Sequence, residues 1–224
     1  MAAPIKAVIF DLDGTLIDSA PDMRDALNHL LLSQGRRAVS TAETVSMIGE
    51  GSAILVERAF QATGAALAPG ELPAMAEEFL TFYQTGGDTT TEVFPGVRQA
   101  LSNLRDAGMK LGLCTNKPEG PARELLASLD LASFFPVVVG GDASRSRKPD
   151  SAPLLALLDQ LGVAAGQAVM VGDSANDINC AHASNVRSIA VTFGYANCPP
   201  EDLRADRMIG HFDELSARLA DLAD

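Results

Sequence analysis

At 224 residues and 47% apolar, the chain has material for one large domain or two modest ones with a full core. Its formal net charge of −12 excludes a long nucleic-acid groove or an anionic membrane surface as the main partner. A small anionic substrate stays open, because screening beyond roughly 8–10 Å leaves local charges to decide.

Taken from the start, MAAPIK leads into an apolar run too short for a signal peptide, and Asp11 ends that run. Ala7 to Phe10 is expected to be a buried strand of a parallel sheet. Asp11 and Asp13 follow it, with Gly14 turning the backbone behind them. By itself this DxDG could be an ordinary turn. Ligands of open α/β sheets, however, collect at the carboxyl ends of strands. From Ser19 to about Gln84 the spacing is helical, with Met23, Leu27, Leu30 and Leu31 in a first helix opened by Pro21 and capped by Ser19 or a neighbour. Val45 with Ile48, then Ile54, Leu55, Arg58 and Ala59, and finally Leu72, Met75, Phe79 and Phe82 mark three more. Gly86 to Thr91 reads as a linker, and VFPGV from Val93 to Val97 as the return to the first layer.

From there strand and helix alternate. Strands are expected at Lys110–Cys114, Val137–Val139, Ala168–Val171 and Ser188–Val191. The helices between them are expected at Pro121–Leu129, Ala152–Leu161 and Ala175–Ser184. Met208-Ile209 reads as an edge strand and Phe212 to Leu222 as a closing helix. The expected fold is α/β, a Rossmann-like parallel core of residues 1–18 and 90–224 with a small all-helical cap of residues 19–89. Inserted after the first strand, the cap can act as a lid over Asp11 and Asp13, hinged near Ile17–Ala20 and Thr85–Pro95. No stretch approaches the 18 or so apolar residues of a membrane span. Cys114, Cys180 and Cys198 are odd in number and lack metal-type spacing, which predicts reduced thiols. The chain is therefore expected to be soluble and cytoplasmic, with no membrane or nucleic-acid partner, as a monomer or homodimer.

Three later segments carry chemistry. Thr115 ends a strand and precedes Asn116 and Lys117; such a Thr can equally cap a helix. Lys148-Pro149 follows a loop in which Arg145 and Arg147 read as surface charges. In VMVGDSANDI, Asp173 lies one Gly beyond a strand and Asp177 four residues on, where both could simply favour a helix start. Should Asp11, Asp13, Asp173 and Asp177 converge, each like pair at 4 Å would cost about 4 kcal/mol at an effective dielectric near 20. A hard divalent ion with oxygen ligands, Mg²⁺, relieves that repulsion. Neither acidic loop has EF-hand spacing, no GxxxxGK[ST] occurs, and His29, His182 and His211 suggest no triad or zinc site.

The string DLDGTLIDS after an apolar strand, with Thr115, Lys148 and GDSAND behind it in order, resembles the haloacid dehalogenase-like superfamily of phosphohydrolases. The resemblance implies Asp11 as the nucleophile, Asp13 as the acid and base, and Mg²⁺ held by the Asp11 side chain, the Asp13 backbone carbonyl, Asp173 and the phosphate, with Asp177 either a ligand through water or an orienter of Lys148. Thr115, Asn116 and Lys148 would hold the phosphoryl group beside Gly14 and Thr15. Having Asp13 separates the chain from relatives that dehalogenate. Related mutases carry a His where Met23 stands, which argues for hydrolysis. The segment Met47 to Phe60, VFPGV and the FGY at Phe193 to Tyr195 resemble the phosphoglycolate phosphatases in particular. On that likeness Gly51 and Arg58 would read the leaving group, Arg58 through a substrate carboxylate or else through an ion pair within the cap. A sugar-phosphate, nucleotide or pyrophosphate phosphatase is the nearest rival, and a non-catalytic phosphate-binding protein the furthest. Asn185 and Ser151 depart from the Gly and Pro common in relatives, and Cys180 from a small Ala.

Overall fold

The computed structural model describes residues 4–85, 90–143 and 146–223. The expected linker residues Gly86, Gly87, Asp88 and Thr89, and the surface charge Arg145, lie outside the described residues. Two compact units emerge: residues 1–17 with 93–224, and residues 18–92.

The first unit is built on six parallel strands. They are β1 (Ala7–Phe10), β4 (Lys110–Cys114), β5 (Val137–Val139), β6 (Ala168–Gly172), β7 (Arg187–Val191) and β8 (Arg207–Ile209), in the order β5-β4-β1-β6-β7-β8. β1 is central, with Ala7 opposite Lys110 on one side and Ala168 on the other. Side chains of a strand alternate between faces, and here both faces are buried. Val8 and Phe10 join Leu113, Val171 and Ile189 beneath α5 (Val97–Asp106), α6 (Glu119–Ser128) and α9 (Leu215–Ala223). Ala7 and Ile9 join Met170 under α7 (Ala152–Leu161) and α8 (Ala175–Ala183). Such burial contributes about 25 cal/mol per Å² of apolar surface removed from water. Asn185 takes φ 53°, the left-handed region that Asn tolerates, which accounts for a residue standing where relatives use Gly.

The second unit packs α1 (Ala20–Ser33), α2 (Thr41–Met47), α3 (Ser52–Thr63) and α4 (Leu72–Thr85) around Met23, Leu27, Leu30, Val56, Phe60 and Phe79. Ser40 and Glu43 form a reciprocal capping box that starts α2. Pro21 does open α1, but the Ser19 side chain makes no capping bond; Asp18 Oδ1 accepts from Ala20 N instead (3.3 Å). The Asp22 carboxylate accepts from the backbone N–H groups of Thr90 (2.8 Å) and Thr91 (3.1 Å) and from both hydroxyls, tying the returning chain to α1. Absent from the sequence reading are two dipeptide strands, β2 (Ile17–Asp18) and β3 (Glu92–Val93), paired where the chain leaves and re-enters the first unit. Two residues carry too little periodicity to announce a strand.

The three cysteines are unpaired, Cys114 and Cys180 being buried. Among the described residues no helix is long and apolar enough to cross a membrane.

Candidate active site

Asp11, Thr115 and Asp173 each lie just beyond a strand's carboxyl end. Asp11 follows β1, its N–H donating to Val171 O (3.0 Å), and Thr115 follows β4, donating to Val139 O (3.0 Å). Asp173 follows β6, and Lys148 sits between β5 and α7. The strand order places β4 and β6 on opposite sides of β1, which is the reversal in winding at which such sheets open a crevice.

Carboxylate oxygens of Asp11, Asp173 and Asp177 all fall within 4.8 Å of one another. All three side chains are buried, with residue exposures of 9%, 2% and 0%. Burial pushes the Asp11 carboxyl up to about 6; Lys148 opposes the shift, and Asp177 and Asp13 add to it. Burial, then Asp177 and Asp11, raise Asp173 well above the carboxylate range, although Tyr195 N–H and the Thr15 hydroxyl donate to it. Lys148 Nζ stands 2.8 Å from Asp11 Oδ1. An oxygen-only set of three buried, mutually repelling acids fits a hard divalent cation.

Lys148 is 2% exposed. Its ammonium donates to Asp177 Oδ1 (2.6 Å) and Cys114 O (2.7 Å). Burial works against that charge, but Asp11 and Asp177 outweigh it and hold the ammonium above the ordinary lysine range. Asn116 grips the Lys148 backbone from both sides, Nδ2 donating to its carbonyl and Oδ1 accepting from its N–H, each at 3.0 Å. The Asn116 side-chain amide therefore acts on Lys148, while the group expected at the phosphoryl oxygens beside the Thr115 hydroxyl is the Asn116 backbone N–H.

Asp177 serves two purposes. Its Oδ2 accepts from Ser174 N (3.0 Å) and Oγ (2.7 Å), closing the N-terminal box of α8, while Oδ1 holds Lys148. Of the two roles left open for it, orienting Lys148 is the one with a contact.

Asp13 does not join the three clustered carboxylates. Both its oxygens lie 3.2 Å from Lys117 Nζ, in an ion pair with side-chain exposures of 7% and 10%. The Lys117 N–H donates to Thr115 Oγ1 (3.2 Å). Lys117 had been passed over in the sequence, where the signal was its place two residues after Thr115 at the same strand end.

Gly14 and Thr15 serve Asp173. Thr15 Oγ1 donates to Asp173 Oδ1 (3.0 Å), and Tyr195 N–H to Oδ2 (2.7 Å). Gly14 has φ +84°, and a Cβ there would sit 2.5 Å from Asp173 Oδ2. The FGY turn packs closer still: a Cβ on Gly194 would lie 2.3 Å from Asp173 Cβ and from Gly14 O. Gly194→Ala is therefore expected to cost about 1–3 kcal/mol in denaturant unfolding and to weaken divalent-ion binding by displacing Asp173.

Gly51 and Arg58 belong to the helical unit. Gly51 precedes α3 as its N-cap, and Arg58 pairs with Glu50 and donates to Met47 O (3.1 Å). Arg58 thus forms an ion pair within the cap.

The family model described as haloacid dehalogenase-like hydrolase matches residues 8–191. A phosphoglycolate phosphatase of Rhodospirillum rubrum is 45% identical over 214 residues, covering 94% of this chain and 89% of that one. Another, from Mesorhizobium japonicum, is 37% identical over 221 residues, covering 99% and 96%. A crystal structure described as a predicted phosphoglycolate phosphatase from Haemophilus somnus superposes with a TM-score of 0.90 at 28% identity, over 96% of this chain and 97% of that one.

Proposed function

The chain belongs to the haloacid dehalogenase-like hydrolases, and from that membership we propose a Mg²⁺-dependent phosphatase that hydrolyses 2-phosphoglycolate to glycolate and inorganic phosphate. The observation that carries the chemistry is the buried convergence of Asp11, Asp173 and Asp177 beside the Lys148 ammonium. The substrate rests on relatives of that name at up to 45% identity over most of the chain.

In this reading an Asp11 carboxylate oxygen attacks phosphorus in line, and the bond to the glycolate oxygen breaks. Asp13 gives its proton to the departing oxygen. Once glycolate has left, Asp13 takes a proton from water, whose oxygen attacks phosphorus and frees Asp11 and phosphate. The Thr115 hydroxyl and the Lys148 ammonium face the phosphoryl oxygens, where negative charge grows. Asn116 and Asp177 act through Lys148, fixing its backbone and its head. Asp11, Asp173 and the Asp13 backbone carbonyl would hold Mg²⁺, which when bound offsets the repulsion between Asp11 and the phosphate.

Phosphate release across 2-phosphoglycolate, a sugar phosphate, a nucleotide and pyrophosphate tests the proposal. The first should show the highest kcat/KM, and a chelator should stop release until Mg²⁺ is restored. A different preferred ester would overturn the substrate, and no release from any of them the activity.

Metal binding also has a signature in stability. Asp11 rises from 3.8 to about 6, so between those values the metal-free fold holds a proton that the unfolded chain gives up. This contribution is fully present below about pH 4 and is lost as pH rises through about 6. Mg²⁺ at 100 times its Kd should add about 2.7 kcal/mol. The gain in melting temperature is expected to be larger at pH 7.5 than at pH 5; an equal gain at both would place the ion elsewhere.

A further inference from the structure

Taking the chain as the phosphatase proposed above, we infer that Asp142 is a positioning residue of the phosphate site. It acts away from the reacting atoms, by anchoring the segment Thr115–Glu119 that carries the phosphate donors.

The phosphoryl oxygens would be met at the end of β4 by the Thr115 hydroxyl, the Asn116 N–H and the Lys148 ammonium that Asn116 steadies. The helix that follows, α6, starts without local help. Its N-cap residue is Pro118, and no side-chain cap bond is made there. A helix leaves its first N–H groups without partners of its own. Asp142, 23 residues on and beyond β5, supplies an acceptor, its Oδ1 taking the Glu119 N–H at 2.8 Å. A carboxylate also suits the positive end of a helix dipole.

The turn that carries Asp142 lies directly against the end of β4. Ala143 N–H donates to Gly140 O (3.1 Å), closing the turn, and Gly141 N–H donates to Lys117 O (2.9 Å). A Cβ on Gly140 would lie 2.3 Å from Glu119 N, and one on Gly141 2.3 Å from Asn116 O. Glycine at both positions lets the two backbones approach that closely. Lys117 N–H in turn donates to Thr115 Oγ1 (3.2 Å), which leaves the hydroxyl hydrogen to donate toward substrate.

Asn116 passes this order on to Lys148. Its side chain grips the Lys148 N–H and carbonyl, and the Lys148 ammonium stands between Asp11 and Asp177. Lys148 lies further along the connection between β5 and α7 in which Asp142 sits. That connection and the segment Thr115–Glu119 are therefore tied at Asp142 and again at Lys148. Losing the Asp142 tie frees one end of the frame, and a displacement of about 1 Å at the donors is enough to weaken the hold on phosphate.

The test measures Kd for inorganic phosphate with Mg²⁺ present, and kcat/KM for 2-phosphoglycolate, in wild type, Asp142→Ala, Asp142→Asn and Gly141→Ala. Asp142→Ala is expected to raise Kd about 10-fold and to lower kcat/KM by a similar factor. Asp142→Asn keeps an oxygen acceptor and should stay within about threefold of wild type. Gly141→Ala leaves Asp142 in place and presses on the Asn116 carbonyl, so its Kd should rise too; it carries the test should Asp142→Ala not fold. A residue that merely capped α6 would lower the urea midpoint and leave both constants of the folded protein unchanged. That result for Asp142→Ala, an Asn variant as weak as the Ala one, or an unchanged Kd in Gly141→Ala would overturn the inference. A wild type that binds phosphate but releases none from 2-phosphoglycolate would overturn the proposed substrate and leave the Kd comparison to decide on Asp142. A wild type that binds no phosphate would overturn both.

Discussion

Asp11→Asn is expected to lower kcat by about 10⁴–10⁶-fold, as removal of a covalent nucleophile does elsewhere. The substitution keeps shape and replaces the anionic carboxylate with a neutral amide, a poor nucleophile toward phosphorus. Its effect on folding should run the other way. The wild-type carboxyl is pushed up to about 6 by burial, so at pH 7.5 in chelator it is ionised against its surroundings. The metal-free variant should thus melt no lower than wild type. Mg²⁺ should stabilise it less, because a carboxamide is a poorer ligand than a carboxylate. Steady-state release of phosphate and a pair of thermal melts check both halves. Turnover within tenfold of wild type would remove Asp11 as nucleophile.

Lys148→Met is expected to be the most damaging change to stability. Lys148 is the ammonium shared by Asp11 and Asp177, and Met leaves both carboxylates buried without it. Breaking a buried pair by removing one partner costs about 3–5 kcal/mol, because the charge left behind is neither solvated nor matched. The loss should show in denaturant unfolding in chelator and shrink when Mg²⁺ is added, since the metal takes over part of the neutralisation. Turnover should fall even where the protein is folded, because the phosphoryl oxygens lose their cation. An unchanged unfolding midpoint would mean that the neighbouring acids take up protons in its place.

Both predictions rest on residues that could be found in the sequence. Asp11 and Asp173 stand where apolar runs of four or five residues end, which is legible in the pattern, whereas Lys148 was marked by its place before a helix. The alternation after Val97 likewise announced a parallel sheet, and the spacing of Met23, Leu27 and Leu30 a helical block. Less legible was what each polar side chain touches. The Asn116 side chain holds the Lys148 backbone, 32 residues away, a contact that no local pattern announces. Asp13 looked like one of four converging acids and turns instead to Lys117, 104 residues on. The donor that fixes Asp173 most closely, Tyr195 N–H, is a backbone group, and no residue identity encodes it.

The amino-acid sequence by itself determined the elements, their order and the acids that end them, because periodicity and strand-end position are local properties of a chain. Only the tertiary structure decided the pairings. Strands β4 and β6 flank β1 although each is more than 90 residues from it, and their register sets which charges meet. An ammonium contacts a carboxylate over about 3 Å, and one residue of slip in a parallel pair moves a side chain about that far. Chemistry was therefore written along the chain, while the division of labour between Lys148 and Lys117 came from the sheet that brought them to their partners.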